Sequence, residues 1–104
     1  MAAQISKLFQ PMKVGRLSLQ HRIVMPPMTR LRASESGVPI VPLVKEYYRQ
    51  RSCSPGTLLI GEAAYIAPKA GGIKYGAGIW ANEQLAAWKE VSSICRAPVP
   101  RHST

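Results

Sequence analysis

The 104-residue sequence predicts an α/β fold with parallel strands, opened by a β-hairpin. Three observations carry this. A short apolar run, Ile23-Val24-Met25, stops at Pro26-Pro27 and is followed at once by Thr29, Arg30 and Arg32. A second, nearly continuous apolar run covers residues 57–66, the composition of a strand covered on both faces. Two stretches with helical spacing follow these runs, one starting at Pro42 and one at Asn82. Strand, helix, strand, helix in that order sets the strands side by side and parallel.

Each element has its own local reason. Residues 12–14 and 17–19 are short extended pieces around Gly15-Arg16, the spacing of a hairpin with glycine in its turn. Residues 22–25 form the next strand. Proline has no N–H and a fixed φ, so Pro26 and Pro27 end ladder pairing there. A polar group at the C-terminal tip of a buried strand is how α/β barrels build their sites. Residues 33–41, with Ser34, Ser36, Gly37 and Pro39, have loop composition. Pro42 suits the first turn of a helix. Leu43, Val44, Tyr47, Tyr48 and Arg51 then share a helical face, and Pro55-Gly56 breaks the pattern. Residues 67–78 are a glycine-rich loop. Asn82 is the expected cap of a second helix, with Leu85, Trp88, Val91 and Cys95 on one face. A third buried strand should follow. Residues 96–104 are instead basic and proline-broken, so the sequence divides into a domain over 1–95 and an unstructured tail over 96–104.

Composition narrows the function. Net charge is +9, but the basic residues are scattered from Lys7 to Arg101 without a run or a single helical face. A small nucleic-acid-binding module would need a basic patch and stacking aromatics, and the aromatics here fall at core-like spacings. Cys53 and Cys95 form neither a metal-binding spacing nor a CxxC pair, which points to reduced thiols in the cytoplasm and no metal. The N-terminal segment has no apolar core of a secretory signal. The longest apolar run is too short to span a bilayer, so no membrane association is expected.

The order of motifs carries a likeness. The segments LFQPMKVGRLSLQHRIVMPPMTRLRA, KEYYRQRS, Gly61-Glu62-Ala63, APKAGG and IWANEQLAAWK occur in sequence between about Lys7 and Val91. In this the chain resembles the N-terminal part of the old yellow enzyme family, particularly its fungal members, which are FMN-dependent ene-reductases built on a TIM (β/α)8 barrel. Such a barrel takes about 250 residues. The resemblance therefore implies the hairpin and about two βα units of an incomplete barrel. It implies that Pro27, Met28 and Thr29 line the flavin, with the Thr29 hydroxyl on the C4 carbonyl side, where a donor tunes the ring's potential. It implies that Ala63 is the small residue that lets the ring approach the backbone. Gly61 stands where the family often has threonine. The implied chemistry passes a hydride from NAD(P)H through FMN to the β-carbon of an activated alkene, an enone-type small molecule. The catalytic groups of the family come from later strands, and neither His21 nor His102 matches its substrate-holding pair. The expectation is a chain with no catalytic residue of its own and no activity alone. The alternative is a truncated or mis-spliced product with no enzymatic role. Open strand edges invite self-association.

Several residues also have plainer readings. Thr29 can simply cap a turn after two prolines. Arg30 and Arg32 read as solvated or paired loop residues. Glu62, inside an apolar run, calls for a structural partner such as a nearby arginine. Tyr47, Tyr48 and Trp88 read as packing residues. The glycine-rich loop lacks a phosphate-binding pattern, and by resemblance residues 73–75 lie near the mouth of the site.

Overall fold

The computed structural model describes residues 6–96. A 3-10 turn, Lys7–Phe9, opens them, and its Leu8 carbonyl accepts the Arg22 N–H at 2.7 Å. Strands β1 (Met12–Val14) and β2 (Leu17–Leu19) pair antiparallel, Met12 with Leu19 and Val14 with Leu17. The connection is two residues, and Gly15 takes the left-handed conformation at φ 58° that such a turn needs. The hairpin falls where the sequence puts it.

Strands β3 (Val24–Met25) and β4 (Leu58–Leu59) pair in parallel, Val24 with Leu58 and Met25 with Leu59. Both are shorter than the 22–25 and 57–66 expected. After Met25 the two prolines cannot donate. The Ile60 N–H still reaches the Met25 carbonyl at 3.0 Å, and pairing then stops. Tyr65 does not continue the ladder either. It forms a parallel bridge with Gly78 of the glycine-rich loop, its N–H on the Ala77 carbonyl and its carbonyl on the Ile79 N–H. Part of the apolar run is thus recruited by the loop that follows it.

Helix α1 (Val41–Arg51) carries Pro42 in its first turn, and both Leu43 and Val44 donate to the Ile40 carbonyl. Helix α2 (Asn82–Arg96) departs from expectation at its start. The Leu85 N–H donates to the Ala81 carbonyl, which makes Ala81 the cap residue and Asn82 the first helical one. Gln84, three residues past the cap, reaches back to accept the Ala81 N–H at 2.9 Å and the Trp80 N–H at 2.8 Å. That is the returning half of a capping box, without a capping side chain in front. Its Nε2 donates to the Ser36 carbonyl at 3.0 Å, so both polar atoms of this most deeply buried side chain have partners.

The two helices pack on each other and on the inner face of β3 and β4. Val44, Tyr48 and Val91 form the buried centre, and Met25, Leu59, Tyr47, Trp88 and Cys95 close around it. Burying each such large side chain is worth about 1.5–3 kcal/mol. Leu43 and Leu85, expected on packed faces, are 56% and 47% exposed. With Gln84 drawn inward by its backbone partners, the packed stripe of α2 becomes Gln84, Ala87, Trp88, Val91 and Cys95.

The described residues form a hairpin and two βα units, with no closed barrel among them. Helix α2 runs through Arg96, the expected start of the tail, and residues 97–104 lie outside the described residues. Among the described residues no helix is long and apolar enough to cross a membrane.

Candidate functional site

The parallel pairing of β3 and β4 aims both strand tips the same way. Val24 pairs with Leu58 and Met25 with Leu59, so residues 27–29 and 61–63 both follow the C-terminal ends of neighbouring parallel strands. Pro27, Met28, Thr29 and Ala63 are all exposed there, Met28 by 41%. The sequence-predicted site residues therefore stand on the tips of two neighbouring strands.

A polar chain joins these tips. The Arg30 N–H donates to Glu62 Oε2 at 3.0 Å, and the Glu62 N–H donates to the Tyr48 hydroxyl at 3.1 Å. The partner expected for Glu62 is thus an arginine, but through its backbone rather than its guanidinium. Tyr48, buried on α1, has its phenol pushed up by burial, against the opposing pull of the Glu62 N–H.

The Arg30 guanidinium is free to lie over the Tyr47 ring at 5.0 Å, where Arg51 also stacks at 3.8 Å. Arg32 Nη1 donates to the Arg30 carbonyl at 3.2 Å, holding the bend at Leu31, which has φ 55°. Behind the tips lies a cavity of about 170 Å³ lined by Arg30, Arg32, Leu43, Val44, Tyr47 and Glu62. Arg30 thus reaches across to α1, while Arg32 closes back on its own loop.

The loops after the two strands lean on each other. Ser34 to Val38 close a tight turn, with Gly37 at φ 82°. The Gly37 carbonyl accepts the Gly78 N–H at 2.8 Å, and the Tyr75 carbonyl accepts the Ala33 N–H at 3.2 Å. Ile73 and Tyr75 are exposed on the second loop by 58% and 43%. The indole of Trp88 donates to the Gly78 carbonyl at 3.0 Å, fixing that loop to α2.

His21 sits at the other end of the strands. Its Nδ1 accepts the Ile23 N–H at 3.2 Å, so Nε2 carries the proton and donates to Thr57 Oγ1 at 2.8 Å. That ties the entrances of β3 and β4 and leaves the histidine away from the tips. His102 lies outside the described residues. Cys53 is exposed, and Cys95 is half-buried with its thiol pushed up by burial.

Sequence reasoning missed the linking roles of Gln84 and Tyr48; for Glu62 it called for a partner such as an arginine, which meets the carboxylate through its backbone N–H. The spacing of Gln84 after the Trp80-Ala81 turn is the signal that could have found it.

A family model described as the NADH:flavin oxidoreductase / NADH oxidase family matches residues 7–96, past the Val91 limit of the likeness seen in the sequence. The chain is 50% identical over 93 residues to the NADP-dependent oxidoreductase lnbE of Aspergillus flavus, covering 89% of this chain and 24% of that protein. It is 52% identical over 93 residues to the chanoclavine-I aldehyde reductase fgaOx3 of Penicillium roqueforti, covering 89% and 25%. The old yellow enzyme of Pichia sp. AKU4542 superposes with a TM-score of 0.81 at 38% identity, over 86% of this chain and 23% of that one. The chain spans about a quarter of the length of the curated relatives it matches.

Proposed function

The chain belongs to the NADH:flavin oxidoreductase / NADH oxidase family, and we propose that it supplies one wall of that family's FMN site, the tips of the first two strands of a TIM barrel. The observation that supports this is the parallel pairing of β3 and β4, after whose neighbouring C-terminal ends the exposed Thr29 and Ala63 follow.

The residues present suit a flavin edge. Pro26 and Pro27 offer no N–H groups, so this stretch of backbone can lie against an apolar ring without orphaned donors. The Thr29 hydroxyl is the polar group at the tip, available to donate to a ring carbonyl. Ala63 has only a methyl group between backbone and ligand. When bound, FMN supplies hydride transfer from NAD(P)H to the β-carbon of an activated alkene. The chain's own part is to bind and orient the ring and to adjust its electronics through the Thr29 donor.

By resemblance, the substrate-holding pair and the proton-donating tyrosine belong to later strands. Tyr48 is no substitute, since its hydroxyl is buried against the Glu62 N–H. The 104-residue chain by itself therefore binds FMN weakly and does not turn over an enone.

Flavin fluorescence titration of the purified chain, with NAD(P)H oxidation followed in the presence of an enone, tests this. Weak binding that weakens further in Thr29→Val, with no turnover, is expected. Stoichiometric flavin and enone reduction by the chain alone would overturn the inactivity. Binding indifferent to Thr29→Val would overturn the assigned contact.

A further inference from the structure

We propose that Glu62 is a positioning residue, whose carboxylate sets the spacing between Thr29 and Ala63 and through it the fit of the flavin. The inference rests on the reading of those two residues as flavin contacts. Its own basis is separate. Glu62 directly precedes Ala63, and its Oε2 accepts the N–H of Arg30, which directly follows Thr29, at 3.0 Å. No ladder bond joins the strands at this level, because pairing ends with Met25 and Leu59. The side chain therefore replaces the missing rung at the tips. Its own backbone is fixed in turn by the Tyr48 hydroxyl, which accepts the Glu62 N–H at 3.1 Å and is anchored in the helical core. One staple thus runs from the core through Glu62 to both sides of the proposed ring edge.

The charge and the geometry separate by substitution. Glu62→Gln keeps an oxygen that accepts the Arg30 N–H. Glu62→Ala removes it, and Glu62→Asp withdraws it by one methylene. None of the three alters the backbone bond to Tyr48 or the Val44, Tyr48 and Val91 cluster. The experiment uses the full chain, isotope-labelled, with amide exchange at Arg30 and FMN titration followed by chemical shift at Thr29 and Ala63. In Glu62→Ala the Arg30 amide is expected to exchange about tenfold faster and FMN to bind about tenfold more weakly. Glu62→Gln should stay close to the parent on both counts, with Glu62→Asp in between. Should Glu62→Ala not fold, the ordering of the parent, Gln and Asp forms decides the matter alone. Arg30 exchange equal in all forms overturns the staple. Altered Arg30 exchange with unchanged FMN affinity overturns the positioning role. A parent chain whose Thr29 and Ala63 signals ignore FMN overturns the flavin reading instead, and reduces Glu62 to a structural tie.

Discussion

The side-chain amide of Gln84 donates to the Ser36 carbonyl at 3.0 Å across 48 positions of sequence, and so joins the start of α2 to the loop that follows β3. The same side chain accepts the Trp80 and Ala81 N–H groups. Replacing Gln84 with leucine keeps the volume but strands those three backbone groups, at about 3 kcal/mol. Gln84→Glu retains acceptors for the two N–H groups and turns a carboxylate on the Ser36 carbonyl. Its loss is smaller at low pH and grows as the new carboxylate ionises. Urea unfolding of the three forms at two pH values gives the ordering.

Tyr48→Phe keeps the core packed and leaves the Glu62 N–H without its acceptor, a cost of about 1 kcal/mol at neutral pH. The folded phenol is held above its ordinary value of 10.0 by burial. Folding therefore favours the protonated form, and that contribution is complete below pH 10.0 and lost as pH climbs through the raised value. Thermal unfolding on either side of that pH should show an alkaline loss in the parent that is reduced in Tyr48→Phe.

Glu46 and Arg49 form a two-pronged exposed pair on α1, at 2.7 Å and 2.6 Å, and the hydrogen bond from Arg49 holds the Glu46 carboxyl down to about 2. The depressed carboxyl contributes stability above its ordinary 4.5 that is lost as pH falls toward 2. Exposure and salt keep the effect small. Helical circular dichroism should decline over that acid range in low salt, less so in high salt, and less in Glu46→Gln.

Two glycines with positive φ separate backbone strain from crowding. Around Gly15, at φ 58°, a Cβ would meet nothing within 4 Å, so Gly15→Ala costs only the left-handed penalty of about 1 kcal/mol. At Gly56, φ 75°, a Cβ would run into the Gln20 side chain and lie 2.9 Å from the Gln20 backbone nitrogen. Gln20 also donates its N–H to the Gly56 carbonyl, so neither side can yield. Gly56→Ala should cost about 3 kcal/mol or more, read from the shift in denaturation midpoint.

What the sequence made legible follows from local physics. Gly15-Arg16 between two extended triplets, and Pro42 ahead of a periodic face, each act within a few residues, and both elements fall where expected. The strand tips were legible because Pro26-Pro27 ends pairing wherever it occurs. The length of β4 was not, because Tyr65 had a choice of partners and the bridge to Gly78 is non-local. The α2 cap was misread for a related reason. Asn82 is a good capping residue in isolation, but Gln84 does the work from inside the helix once Ser36 comes within reach. The link between Arg30 and Glu62 was half legible: the carboxylate needed a partner, but a backbone N–H carries no residue signature.

Both tryptophans of the chain converge on one glycine. The Trp88 indole donates to the Gly78 carbonyl, and the Trp80 ring fills the space where a Gly78 side chain would stand. The intrinsic fluorescence of the protein is therefore a local probe. It reports the seating of Gly78 against Gly37, and with it whether the loops beneath the strand tips are closed. A red shift in emission while helical ellipticity holds steady would record those loops parting over an intact helical pair.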